Sequence, residues 1–314
     1  MYSLHFYGQM IADAQRMEAY AAALRATVRP DSVVMDLGCG AGVFAVLACK
    51  LGARRVYAVE PENIIGLARE IAAANGCTER IEFFDKLSTE ITLPEAATII
   101  ISDLRGVLPW FEQHIPSIID ARMRLLAHGG VLIPGRDILW AALVEAPAQY
   151  ADLVGPWRDN RFGLDLSAGT RLITNNWRKT QIAPEQFLVQ PVCWTTVNYN
   201  EVESPDIHAQ ISWQALRNGT AHGVAMWFDS ELVDGIRLSN HPAAPRMIYG
   251  TGLFPFTQPV EVKEGERIEL RLAADLVQNG YVWRWDTDFP TASFKQSTFY
   301  GVPLSAAQLR KSAQ

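Results

Sequence analysis

The stretch from Asp31 to Glu60 constrains the fold more than any other part of the sequence. A short apolar run, Val33 to Met35, is typical of a buried strand in a parallel sheet, and a loop rich in glycine follows it. Apolar residues then recur with helical spacing from Val43 to Lys50, and a second strand, Arg55 to Val59, leads to Glu60. This order of strand, glycine turn, helix and strand predicts a nucleotide-binding βαβ unit.

The loop begins with Asp36 and has the spacing G-x-G-x-G rather than G-x-G-x-x-G. An acid in front of the glycines would repel a pyrophosphate, but it suits a ligand that carries a sulfonium and an amino group. An acid about twenty positions past such a loop, here Glu60, can accept hydrogen bonds from both ribose hydroxyls. The loop resembles motif I of class I S-adenosylmethionine-dependent methyltransferases, which implies S-adenosyl-L-methionine as cofactor and S-adenosyl-L-homocysteine as product. The resemblance assigns these residues to the cofactor site: Asp36, Gly38, Gly40, Gly42, Glu60 and Pro61.

Length and composition predict a globular protein of two domains. The chain has 314 residues, of which 49% are hydrophobic and 20% are charged. The net charge of -6 disfavours nucleic acid as the main partner and leaves basic peptides or small cations open. Its four cysteines lack metal-ligand spacing, so we expect reduced thiols and no metal. Without a signal peptide or a membrane-spanning apolar run, we expect a cytoplasmic protein with no membrane partner.

The N-terminal segment predicts a helix from Gln9 to Arg25 that packs on the sheet. Its spacing M-x-x-D-x-x-R-x-x-x-Y also resembles the protein arginine methyltransferases. In that family the arginine of this helix, here Arg16, holds the carboxylate of the cofactor, for which a guanidinium is suited because it makes two parallel hydrogen bonds. The resemblance adds Met10 to the cofactor site. It adds Asp13 to the substrate site together with Tyr7, which stands where many members have histidine.

The most informative motif follows the fourth predicted strand, Ala97 to Ser102. Arginine methyltransferases have the motif S-E-x-x-G at this place, and a second glutamate follows nine residues after the first. Asp103 and Glu112 have the same spacing. Two such carboxylates can grip a guanidinium from two sides and polarise it, so both are candidate catalytic residues. The first acid is aspartate rather than glutamate, and Arg105 replaces an apolar residue of the family. Arg105 could therefore contact the substrate, or pair with either acid and fill the site itself.

Ser88 and Thr89 follow the third predicted strand, Ile81 to Phe84, where arginine methyltransferases touch the adenine ring. Both are added to the cofactor site, although Thr89 stands where the family has a glutamate. Further along, Met247-Ile248-Tyr249 stand where the family has T-H-W. The missing motif implies a different substrate or a pocket rebuilt with Tyr249 and His241, although His241 also suits a surface turn.

Beyond residue 135, short apolar or alternating runs separated by turn residues predict an antiparallel sheet or barrel. The resemblance predicts an α/β protein in which a Rossmann-like class I methyltransferase domain is followed by an antiparallel β-barrel. A helical arm at about 150–178 would hold a head-to-tail homodimer, with Trp157 and Phe162 as anchors unless they belong to the barrel core. The predicted segments are an N-terminal helical segment 1–29, a cofactor domain 30–134, a barrel 135–300 and a tail 301–314.

The resemblance implies an S-adenosylmethionine-dependent N-methyltransferase that acts on a guanidinium nitrogen of arginine in a protein or peptide. Two alternatives stay open. One is a methyltransferase for a small-molecule amine or free arginine in a biosynthetic route. The other is a catalytically silent scaffold that binds the cofactor while Arg105 fills the acid pair.

Overall fold

The computed structural model describes residues 3–159 and 162–302. Among the helices of these ranges, none is both long and apolar enough to cross a membrane. The helices are α1 (Leu4–Ala12), α2 (Ala14–Thr27), α3 (Val43–Lys50), α4 (Ile65–Ala74), α5 (His114–Arg124), α6 (Pro147–Arg158) and α7 (Ser167–Ile173). The strands are β1 (Val33–Leu37), β2 (Arg55–Val59), β3 (Ile81–Phe84), β4 (Ala97–Ser102), β5 (Leu126–Ile133), β6 (Arg136–Val144), β7 (Arg178–Thr180), β8 (Val192–Asn198), β9 (Ile207–Gln214), β10 (Gly219–Val233), β11 (Ile236–Ser239), β12 (Thr251–Val262), β13 (Arg267–Val277), β14 (Gly280–Asp288) and β15 (Ser293–Phe294).

The first five strands form one parallel sheet in the order β3-β2-β1-β4-β5. Every residue of β1 is buried, as expected for the middle strand of a sheet that is covered on both faces. Val34 of β1 pairs with Val56 of β2 on one side and with Ile99 of β4 on the other. The strand order reverses at β1, and ligands of such sheets bind beyond the carboxyl ends of the strands at this switch point. The predicted Rossmann-like domain is confirmed.

The later strands form antiparallel sheets, which confirms the predicted change of architecture. A six-stranded sheet has the order β7-β12-β10-β6-β8, with β11 paired to β10. A four-stranded sheet has the order β15-β14-β13-β9. Trp227, Trp283 and Trp285 are among the largest fully buried side chains. Their burial explains why this part of the chain is rich in aromatic residues.

The chain divides into two compact units. The first unit comprises the residues up to Ile138 together with Thr196–Pro205 and Phe228–Tyr249. The second comprises Leu139–Thr195, Asp206–Trp227 and the residues from Gly250 onward. The sequence pattern suggested a boundary at residue 134 but no return of the chain to the first unit. Most of the predicted tail, from residue 303 on, lies outside the described residues.

The predicted N-terminal helix is interrupted, so the prediction of one continuous helix is wrong. Asp13 has an extended backbone, with φ -72° and ψ 91°, and separates α1 from α2. Its Oδ1 accepts a hydrogen bond from the backbone N–H of Arg16 at 3.1 Å. Aspartate is a favoured N-cap because its side chain satisfies an N–H group that the helix cannot, which accounts for the break.

Helices α6 and α7 occupy the region of the predicted arm. Tyr150, Leu153 and Val154 of α6 form a small buried cluster against Ile173 of α7. Phe162 is 85% exposed, so it does not belong to the core of its unit. The role of this region as a dimerisation arm stays a prediction.

Candidate functional site

The glycine loop connects β1 to α3 at the switch point of the parallel sheet. Its three glycines have positive φ angles of 73°, 51° and 76° at Gly38, Gly40 and Gly42. A Cβ atom on Gly40 would lie 2.8 Å from Cε1 of Tyr7. The loop therefore needs glycine here because of both its backbone conformation and the close approach of α1.

The two predicted cofactor acids lie behind this loop and bind backbone N–H groups. Asp36 Oδ2 accepts from Ala45 N of α3 at 2.9 Å, and burial raises the pKa of Asp36 to about 7. Glu60 accepts from Gly40 N through Oε2 and from Glu62 N through Oε1, each at 3.0 Å. Burial also raises the pKa of Glu60. Both acids thus hold the loop in place.

An open pocket lies in front of the loop. Its empty space, counted together with the open solvent at its mouth, is about 480 Å³. The predicted site residues that line it are Tyr7, Met10, Arg16, Gly38, Gly40 and Asp103. The fold thus brings residues from three separate segments of the sequence together in a single pocket.

Arg16 is the cationic group of the pocket. Although only 5% exposed, it lines the pocket, and its Nε donates to Asp103 Oδ2 at 2.6 Å. Its Nη1 donates to the carbonyl oxygen of Met10 at 3.1 Å, and the guanidinium lies 5.0 Å from the centroid of the Phe44 ring. Among the described residues, Nη2 makes no hydrogen bond. The guanidinium is held on one side and retains a donor for an anion on the other.

Asp103 receives hydrogen bonds from three side chains of the chain itself. Oδ1 accepts from Tyr20 Oη at 2.9 Å, Oδ2 accepts from Arg16 Nε, and the one proton of the Tyr249 hydroxyl is shared between the two oxygens, each 2.7 Å away. Burial would raise the pKa of Asp103, but the charges of Arg16 and Arg105 and the hydrogen bonds from Tyr249 and Arg16 hold it below its usual range. Asp103 is therefore ionised, and three donors already occupy most of its roughly four acceptor positions.

Glu112 differs from Asp103 in its exposure and in its hydrogen-bond partners. It is exposed, and its backbone has a positive φ of 45°, which is uncommon for a residue other than glycine. Within residues 3–159 and 162–302, its carboxylate makes no hydrogen bond or ion pair with another side chain. The structure thus brings Asp103 into the pocket but does not join it to Glu112, and the two-sided grip on a guanidinium stays a prediction.

Arg105 does not reach the pocket, contrary to its expected role as a substrate contact. It is fully buried and makes an ion pair with Asp137. It also donates to Ser230 Oγ at 2.7 Å and to Tyr20 Oη at 2.9 Å, and its guanidinium lies 4.4 Å from the Phe228 ring centroid. Its Nε is 3.6 Å from Asp103 Oδ1. The proposed pairing with Asp103 is thus a secondary contact, because Asp137 is the main counter-ion.

The sequence interpretation missed Asp137 and the residues that contact it. Tyr199 Oη donates to Asp137 Oδ2 at 2.7 Å, and His114 Nε2 lies 3.1 Å from the same hydroxyl. The only signal for this network was Arg105 at an apolar position, since a buried arginine requires a buried acid. That signal does not say which acid it is.

Two predicted substrate contacts, Asp13 and Tyr249, lie next to Arg16 and Asp103. Asp13 Oδ2 accepts from the backbone N–H of Ile248 at 2.6 Å, and Tyr249 binds Asp103 as described. His241 instead lies in a turn, where Ala243 N donates to its Nδ1 at 2.9 Å. His241 does not line the pocket.

Six predicted cofactor residues do not line the pocket, namely Asp36, Gly42 and Glu60 of the loop region and the three that follow. Ser88 is buried, and its carbonyl oxygen accepts from Arg124 Nη2 at 2.9 Å. Thr89 and Pro61 are exposed. Their contacts with an adenine ring or a ribose therefore stay predictions.

Comparisons with known proteins find methyltransferases over both parts of the chain. A family model described as "Arginine methyltransferase oligomerization subdomain" matches residues 136–289, and one described as "Ribosomal protein L11 methyltransferase (PrmA)" matches residues 19–133. The chain is 30% identical over 234 residues to probable protein arginine N-methyltransferase 6 of Arabidopsis thaliana, covering 71% of this chain and 53% of the relative. It is 27% identical over 238 residues to protein arginine N-methyltransferase 2 of Dictyostelium discoideum, covering 72% and 46%. The chain thus spans about half the length of these two relatives.

Among solved structures, the chain is similar to a Trypanosoma brucei PRMT1 enzyme-prozyme heterotetrameric complex with AdoHcy. The TM-score is 0.84 at 22% identity, covering 93% of this chain and 96% of the other. At this identity the likeness concerns the fold. The two family models and the curated relatives support a protein arginine N-methyltransferase-like family for this chain, and the likeness in fold agrees with them.

Proposed function

We propose that this protein is an S-adenosylmethionine-dependent N-methyltransferase that modifies a guanidinium nitrogen of arginine in proteins or peptides. The observation that carries the proposal is the position of Arg16, which lines the pocket beside the glycine loop and keeps Nη2 without a partner among the described residues. The names of the relatives, which are protein arginine N-methyltransferases, support the same acceptor.

The residues present fit the cofactor. S-adenosyl-L-methionine, when bound, supplies an electrophilic methyl group on a sulfonium. Arg16 would hold its carboxylate through the free Nη2, and Glu60 would face its ribose hydroxyls. Glu60 would add negative charge near a cationic ligand.

The acceptor requires alignment and negative charge more than covalent help from the protein. Asp103 supplies a fixed carboxylate at the pocket, and the exposed carboxylate of Glu112 is available to accept an N–H of the guanidinium. Because three donors already occupy most of the acceptor positions of Asp103, Glu112 would carry the main contact and take up the released proton at a carboxylate oxygen.

The experiment is transfer of radiolabelled methyl from S-adenosyl-L-methionine, offered in parallel to an arginine-rich peptide, free arginine and a cell extract fractionated by size. Label in peptide or protein supports the proposal. Label confined to small molecules would move the function to the methylation of free arginine or a small amine.

A silent cofactor-binding subunit is the second candidate, and the three donors that already bind Asp103 favour it. Arg16, Tyr20 and Tyr249 occupy the acceptor positions that a substrate guanidinium would need. One similar solved structure is itself described as an enzyme-prozyme complex. Calorimetric binding of the cofactor without label in any fraction would support this candidate.

We also propose a homodimer held through the α6–α7 region, with no nucleic acid or membrane partner. The exposed Phe162 and the half-exposed Trp157 there are suitable anchors, and the matched family model is described as an oligomerization subdomain. If the wild type sediments as a dimer and the Phe162→Asp variant sediments as a monomer, the result would support this interface. A cytoplasmic location is proposed as well, and the buried free thiols of Cys39, Cys49 and Cys77 fit a reducing compartment.

A further inference from the structure

Tyr249 does not line the pocket, yet its hydroxyl contacts the carboxylate that holds Arg16. The phenolic oxygen lies 2.7 Å from each oxygen of Asp103. Burial raises the pKa of Tyr249 well above its usual value, so the hydroxyl keeps its proton and acts as a donor. The sequence suggested a contact between Tyr249 and the substrate, but the geometry gives it a different neighbour.

The Tyr249 hydroxyl restricts the rotation of the Asp103 carboxylate. Tyr20 binds Oδ1 at 2.9 Å and Arg16 Nε binds Oδ2 at 2.6 Å, so each oxygen has one donor besides the shared hydroxyl. A carboxylate fixed at both oxygens fixes the plane of the guanidinium bound to it. The direction in which Arg16 presents Nη2 to the pocket therefore depends on Asp103.

Tyr249 is itself fixed relative to Arg16 by Asp13. The Oδ2 atom of Asp13 accepts from Ile248 N at 2.6 Å, and its Oδ1 atom accepts from Arg16 N at 3.1 Å. The Tyr249 ring also packs edge-on against Phe228, with centroids 5.3 Å apart. Asp13, Ile248, Tyr249, Asp103 and Arg16 thus form a closed circuit of contacts.

We propose that Tyr249 is a positioning residue for ligand binding, which acts through Asp103 to orient Arg16 towards the carboxylate of the cofactor. This inference rests on the proposed cofactor pocket. Loss of the hydroxyl leaves the Asp103 carboxylate with a single donor at each oxygen, so its orientation is less restricted. The consequence falls on ligands that carry a carboxylate for Arg16 and spares ligands that lack one.

The test compares two ligands by calorimetry. S-adenosyl-L-homocysteine carries the amino-acid carboxylate, whereas 5′-methylthioadenosine keeps the nucleoside and the thioether but lacks it. In Tyr249→Phe we expect S-adenosyl-L-homocysteine to bind roughly 3- to 10-fold more weakly, the effect of about one hydrogen bond, with 5′-methylthioadenosine unchanged. Tyr150→Phe is the matched control, since it removes a phenol that donates to the carbonyl oxygen of Thr257 at 3.0 Å in the second unit.

A second measurement places Tyr249→Phe in an Arg16→Ala background. If Tyr249 acts through Arg16, the second substitution has no further effect on the affinity for S-adenosyl-L-homocysteine. If Tyr249→Phe lowers the affinity for both ligands equally, or if the effects of the two substitutions are additive, Tyr249 has a general structural role and the proposal is overturned. A wild-type protein that binds neither ligand would instead refute the proposed cofactor pocket, and the inference would fall with it.

Discussion

Arg105 and Asp137 form an ion pair in which both side chains are fully buried. Removal of one partner leaves an uncompensated charge in the core, which typically costs about 3–5 kcal/mol. We expect Asp137→Ala to lower the free energy of unfolding by about that amount, measured by urea denaturation. The matched control is Arg54→Met, which breaks the exposed pair with Glu95 and should cost at most about 1 kcal/mol.

The double variant Arg105→Met/Asp137→Leu sharpens this prediction. Replacing both charges by apolar groups of similar size removes the desolvation cost together with the attraction, so most of the lost stability should return. A double variant as unstable as the single one would mean that the hydrogen bonds to Tyr199 and Ser230 matter more than the charge pair.

The pH dependence of stability should contain two opposing contributions. The pKa of Asp36 is raised to about 7 by burial, so its contribution is present below about pH 4 and is lost as the pH rises towards 7. The pKa of His114 is lowered to about 4 by burial, so its contribution is present above about pH 6.5 and is lost as the pH falls. The two slopes oppose each other between about pH 4 and 6.5, and each is at most about 1.4 kcal/mol per pH unit.

Single substitutions separate the two contributions. In Asp36→Asn the remaining histidine should make stability rise with pH across this range. In His114→Gln the remaining aspartate should make stability fall with pH. Urea unfolding at a series of pH values measures both slopes, and identical profiles for the two variants would contradict the assignment.

Glu112→Gln should abolish methyl transfer while the dissociation constant for S-adenosyl-L-homocysteine stays within about twofold of wild type. The reason is that Glu112 is exposed and does not line the pocket, whereas in the proposed function its charge would hold the acceptor. Label transfer and calorimetry measure the two effects. Glu79→Gln, at another exposed acid, serves as the control. A parallel loss of ligand binding in Glu112→Gln would remove Glu112 from the acceptor side.

Arg16→Ala should weaken binding of S-adenosyl-L-homocysteine at least roughly tenfold, because it removes a charge-assisted hydrogen bond worth about 1.5–3 kcal/mol. Arg25→Ala is a close control, since Arg25 lies on the same helix, is exposed and only approaches Glu18 at 4.0 Å. Unchanged affinity in Arg16→Ala would exclude Arg16 from the ligand site. Because Arg16 also neutralises Asp103, the melting temperature of each variant should be measured alongside.

Local patterns were enough to predict β1, the glycine loop, α3 and the acid after β2, because each depends on residues close together in the chain. The cap at Asp13 was also readable, since aspartate is a favoured N-cap, but the apolar spacing of the longer segment hid it. Tyr249 was singled out from its alignment with the family motif, yet its bond to Asp103 could not be predicted. Contacts between residues so far apart depend on how distant segments return to the first unit, and no local propensity encodes that.

The return of Thr196–Pro205 and Phe228–Tyr249 to the first unit has a consequence for the order of events during synthesis. The parallel sheet is complete once the ribosome has passed Ile133, whereas Tyr199 and Tyr249 follow much later. Until then, Asp137 and Asp103 lack partners that the finished protein supplies. The nascent chain can build its parallel sheet early, but Arg16 acquires its final orientation only when residue 249 has emerged.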